Sequence, residues 1–117
     1  MLSLTARVLV FGIGVALASG GSALAMVQCP SNVDGKPLRK TDGGTLFLGQ
    51  PVDNMEQVPD NVRTSPNGFV STWTFKSGAG FNLLCRYEGS LQTVLLSLPA
   101  EIKQCRSDVG ARSFVCH

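Results

Sequence analysis

Residues 69–87, FVSTWTFKSGAGFNLLCRY, decide the fold. Apolar side chains recur there with a period of two, the spacing that sends alternate residues to opposite faces of a strand. Phe69, Ser71, Trp73 and Phe75 share one face, while Val70, Thr72 and Thr74 take the other. After the break, Phe81, Leu83, Cys85 and Tyr87 align, with Asn82, Arg86 and Glu88 pointing away. Lys76-Ser77-Gly78-Ala79-Gly80 joins the two runs. Read as a hairpin, this five-residue loop pairs Phe75 with Phe81 and Trp73 with Leu83, so both apolar sets lie on one side.

The same period continues outward. Residues 93–98 put Val94, Leu96 and Leu98 inward until Pro99 stops the strand, and residues 100–103 have room for one helical turn. Near the C-terminus, Gly110-Ala111 fits a two-residue type II′ turn, with Gly at its first central position. That register sets Cys105 directly opposite Cys116, close enough for a disulfide. On the N-terminal side, Thr45–Leu48 reads as a short strand. Residues 49–66 are broken by Gly49, Pro51, Pro59 and Pro66. Within them, Asp53-Asn54-Met55-Glu56 has capping-box spacing and predicts a helical turn before Pro59. Asn67-Gly68 marks another turn. The predicted class is all-β, a small antiparallel meander of five or six strands curled into a sandwich or barrel.

The first 25 residues belong to another category. Arg7 is their one charge, residues 8–18 (VLVFGIGVALA) form an apolar run, and Ala23-Leu24-Ala25 supplies small residues at a cleavage site. The run is shorter than the ~20 residues needed to cross a bilayer, so residues 1–25 read as a cleaved signal peptide. The expected product is a single disulfide-bonded β domain over residues 26–117, periplasmic or secreted, with no membrane anchor. Four cysteines, Cys29, Cys85, Cys105 and Cys116, lie in this part. An even count in a short exported chain predicts a disulfide framework. Cys29–Cys85 with Cys105–Cys116 is the preferred pairing, and the two other connectivities stay open.

Composition excludes several functions. Ten Lys and Arg stand against eight Asp and Glu, which gives no basic stripe for nucleic acid. A single His, at position 117, argues against metal centres and His-based catalysis; a frayed terminus is its expected role. No serine has a histidine and a carboxylate in a recognisable catalytic pattern, and no cofactor is expected.

In order along the chain come Cys29-Pro30, Leu48-Gly49-Gln50-Pro51, Val58-Pro59-Asp60, Trp73, Cys85-Arg86-Tyr87-Glu88-Gly89, Leu98-Pro99, Cys105 and Cys116. This series resembles a family of small exported bacterial proteins with the pattern C-P, G-x-P, P-D, W, C-x-Y-x-G, L-P, C, C. This chain is shorter than that pattern between Cys29 and Gly49. The resemblance implies an exported, disulfide-bonded single domain and names no activity.

The remaining polar and aromatic residues each have an ordinary reading beside a functional one. Trp73 and Tyr87 fit a core beside a disulfide better than a sugar or peptide platform. Arg86 could take a carboxylate in a fork; a cross-strand charge pair on a solvated face accounts for it more simply. Asp53, Glu56 and Asp60 are explained by caps and turns before glycoside chemistry. Ser77-Gly78, expected at an exposed loop tip, resembles the Ser-Gly loop that small periplasmic lysozyme inhibitors insert into their targets. By elimination the protein is a non-catalytic binding module of the cell envelope, an inhibitor or immunity-type partner of an envelope-acting enzyme, and a monomer. Its recognition residues are expected among Gln50, Asp53, Glu56, Asp60, Ser77 and Gly78, in exposed loops on a rigid scaffold, with Arg86 on the solvated face of its strand. The alternative is a structural envelope component that self-associates.

Overall fold

The computed structural model describes residues 25–117. The signal segment expected over residues 1–25 lies, but for Ala25, outside the described residues.

Ten strands are found in this span: β1 (Val27–Gln28), β2 (Asn32–Val33), β3 (Lys36–Pro37), β4 (Gly44–Leu48), β5 (Asn61–Ser65), β6 (Gly68–Thr74), β7 (Phe81–Arg86), β8 (Thr93–Ser97), β9 (Gln104–Asp108) and β10 (Ser113–Cys116). They form a five-stranded sheet of order β1-β10-β9-β6-β5, a three-stranded sheet of order β8-β7-β4 and the ribbon β2-β3. Every pairing is antiparallel. The ribbon turns at Asp34-Gly35, both with positive φ (50° and 76°), the requirement of a type I′ turn.

The all-β class stands, and the connectivity departs from a meander. β6 and β7, expected to be partners, belong to different sheets: β6 lies between β9 and β5, and β7 between β8 and β4. Residues 76–80 therefore form a crossing between sheets. The two apolar faces still meet, because the sheets share one core of Leu46, Leu83 and Cys85 with Trp73, Cys105, Phe114 and Cys116, closed over by Leu38, Tyr87 and Ile102. The Trp73 and Phe114 rings lie 5.1 Å apart. Phe75 and Phe81, at the two ends of the crossing, stack at 4.7 Å without sharing a ladder.

At the start of β6 the expected facing reverses in its effect. Phe69 is half exposed and Val70 is buried. Val70 stands between Arg63 and Asp108 in one cross-strand row. Asn82, expected to point to solvent, is buried. It donates to the Gly49 carbonyl (2.6 Å) and accepts from the Ser97 hydroxyl (2.9 Å).

Both disulfides form in the preferred pairing. Cys105 and Cys116 are register partners between β9 and β10. The turn that sets them there is not type II′: Gly110 lacks a positive φ, and the left-handed residue is Arg112 (φ 50°). The connection is the four-residue loop 109–112, closed by Arg112 N–H to the Val109 carbonyl (3.2 Å). Cys29 follows β1 and donates its N–H to Phe114 (3.1 Å), so its bond to Cys85 on β7 staples the larger sheet to the smaller. The helical turn expected from Asp53 falls three residues earlier, as a 3-10 turn over Pro51–Asp53 with Gln50 at its N-cap. Pro51 opens it because proline lacks the N–H that a first helical position leaves unused. The Asp53 carboxylate caps it by accepting from Gln50 N–H (3.1 Å). Residues 100–103 carry a turn and no helix. His117, expected to fray, is tied to Gln104 by backbone hydrogen bonds in both directions (3.0 and 2.9 Å).

A candidate partner-binding face along residues 50–60

Residues 49–60 connect β4 of the smaller sheet to β5 of the larger. Gly49 turns the chain with φ 80° and donates to Gly80 (2.8 Å). After the 3-10 turn, Asn54 reverses direction in the left-handed region (φ 57°). The chain then returns beside β4: Leu48 N–H donates to Met55 (3.0 Å), and Gln57 N–H to Leu46 (2.8 Å). Beyond Pro59 it joins the larger sheet. Asp60 N–H donates to Thr72 (2.8 Å), and the Asp60 carboxylate accepts from the Thr74 N–H (2.6 Å) and hydroxyl (3.0 Å). The indole N–H of Trp73 donates to the Gln57 carbonyl (3.0 Å) and fixes the segment at its middle.

With its backbone so committed, this segment offers side chains. Val52 and Val58 are 89% and 83% exposed, and Met55 is about half exposed. Asp53, Glu56 and Asp60 lie among them; the ion pairs among the described residues are Arg39–Asp42 and Arg112–Glu88, so none of the three meets a cation. Behind Val58 opens a pocket of about 150 Å³ lined by Leu46, Gln57, Val58, Asp60, Trp73, Thr74, Phe75 and Phe81.

The expected site residues divide in space. Gln50, Asp53, Glu56 and Asp60 lie on this one face, and the crossing 76–80 adjoins it at the Gly49–Gly80 contact. Ser77 and Gly78 do not form a projecting tip. Gly78 is buried, where an added Cβ would strike Pro99, Leu98 and Ile102, and the Ser77 hydroxyl donates to Ala100 (3.0 Å). Arg86, at the far end of β7, donates to Thr45 Oγ1 (2.9 Å) and makes no charge pair; Glu88 instead takes Arg112 (3.4 Å). Trp73 and Tyr87 are core residues. The Tyr87 hydroxyl donates to Pro30 (2.8 Å), and burial pushes its pKa above the ordinary value of 10.0. Sequence reading passed over Val52, Met55 and Val58. Their only signal was apolar residues in a Pro-broken stretch with no strand period to absorb them.

Among the described residues, no group of three or more His, Cys, Asp or Glu side chains could hold a metal ion, and no helix is long and apolar enough to cross a membrane. Two stapled sheets thus carry an exposed edge of apolar and acidic side chains. The chain matches, over residues 34–117, the family described as Type VI secretion system Tli immunity protein, and it belongs to that family. Its class is therefore that of an immunity-type partner of an effector protein. No curated protein and no solved structure matches it.

Proposed function

We propose that this protein is exported and processed near residue 25, and that the domain over residues 26–117 works in the periplasm as a monomer. It neutralises an envelope-acting effector enzyme by covering it, without catalysis of its own. The observation that carries this reading is membership of an immunity family over residues 34–117. The exposed Val52, Met55 and Val58 beside Asp53, Glu56 and Asp60 support residues 50–60 as the contact surface, since apolar anchors ringed by polar groups supply most of the affinity at protein interfaces. Gln50 extends the same surface, whereas Ser77, Gly78 and Arg86 serve the scaffold.

The test pairs the purified domain with a candidate effector enzyme that acts on the cell envelope. The expected result is a one-to-one complex, loss of the enzyme's activity, and survival of cells that receive the enzyme in their envelope. Absence of both complex and protection overturns the proposal. Self-association at rising concentration in sedimentation would favour a structural envelope component.

A further inference from the structure

The pocket behind Val58 has a chemistry of its own. Leu46, Val58, Trp73, Phe75 and Phe81 make its apolar walls, and the Phe75 and Phe81 rings are stacked. Of its polar groups, the Trp73 indole N–H is already spent on the Gln57 carbonyl. Both hydrogen bonds to the Asp60 carboxylate fall on Oδ2. They come from neutral donors, and no hydrogen bond falls on Oδ1. The pocket thus offers an anionic acceptor without a charged partner beside aromatic rings. Its volume, about 150 Å³, is one that takes roughly six heavy atoms, about the size of an arginine side chain beyond Cβ.

We propose that this pocket receives a cationic side chain, arginine foremost, presented by the partner protein. The aliphatic stem lies on Leu46 and Val58, as long basic side chains do on apolar surface. The guanidinium plane stacks on the Phe75–Phe81 pair, and its fork points at Asp60 Oδ1. Lys103 does not fill the role, because its ammonium is held by the Lys76 carbonyl (2.6 Å). A neutral apolar knob would leave the Asp60 carboxylate without a counter-charge. The partner surface is therefore basic at this point, and residues 50–60 supply the matching acidic rim.

This inference rests on the protein-binding reading above, and its test is separate. The single Trp of the sequence sits in the pocket wall, so its indole N–H resonance reports occupancy. The ¹⁵N-labelled protein, recovered from the periplasm, is titrated with N-acetyl-arginine amide and, as controls, N-acetyl-leucine amide and N-acetyl-glutamine amide. The expected result is a saturable shift of the Trp73 indole and the Thr74 amide with the arginine probe alone, with a dissociation constant on the order of 10 mM. Asp60→Asn keeps the acceptor for Thr74 and is expected to weaken uptake about fivefold, the scale of one exposed ion pair. Val58→Lys, at a site too exposed to disturb the fold, places an internal cation at the mouth and is expected to abolish uptake. No saturable shift, an equal shift with the leucine probe, or Asp60→Asn binding as well as the parent overturns the proposal. Arginine uptake without an effector complex would sink the immunity reading alone. An effector complex indifferent to both variants would sink the pocket's role alone.

Discussion

Tyr87 shows how a single side chain ties local chemistry to stability. Its ring is fully buried and its hydroxyl donates to the Pro30 carbonyl. Removing the hydroxyl in Tyr87→Phe orphans that carbonyl and is expected to cost about 1 kcal/mol in urea unfolding at neutral pH. Alkali tests the same residue. Burial raises the phenol's pKa in the folded state, so between the unfolded value near 10 and the folded one the unfolded chain holds fewer protons. Stability from this group is therefore complete below about pH 10 and is lost as pH rises through the folded value. The melting temperature is expected to fall above that pH, and less steeply in Tyr87→Phe. Gly44 supplies a second test. A Cβ there would enter the Phe114 ring, which is itself buried, so Gly44→Ala is expected to cost about 1–3 kcal/mol.

At the level of strands, periodicity told which face each residue takes and not which strand lies beside it. The set Trp73, Phe75, Phe81, Leu83 and Cys85 was legible as inward because alternation is a local property. That residues 76–80 cross between sheets was not, because a five-residue loop fits a hairpin and a crossing equally well. What decides is remote: Gly78 is pressed against residues 98–102, and Gly80 accepts from Gly49. The Cys105–Cys116 register survived a wrong turn type for a simple reason. Opening the loop from two residues to four lengthens both arms equally and leaves every pair unchanged. The two disulfides should differ in weight. They close loops of sequence separation 56 and 11, for which chain entropy gives about 4 and about 3 kcal/mol. Replacing Cys29 and Cys85 by Ala is therefore expected to lower the urea midpoint more than replacing Cys105 and Cys116. Denaturation of the two double variants side by side checks that order.

For the molecule as a whole, the carboxylates of the candidate face were legible because Pro and turn residues broke every strand around them. Its apolar half was not, since exposure is a property of the assembled fold. Val58 separates the two demands on this surface. Val58→Ser is expected to shift stability by no more than about 0.5 kcal/mol and to weaken capture of the effector, as measured by unfolding and by titration calorimetry.

The pairing of Val27-Gln28 with Val115-Cys116 brings the two extremities of the folded domain to one corner. Between Val27 and Cys116 the described residues thus trace a nearly closed circle. A short Gly-Ser bridge from His117 to Met26, with new ends opened at the wholly exposed Leu91, should give a circular permutant with the same sheets and the same melting behaviour.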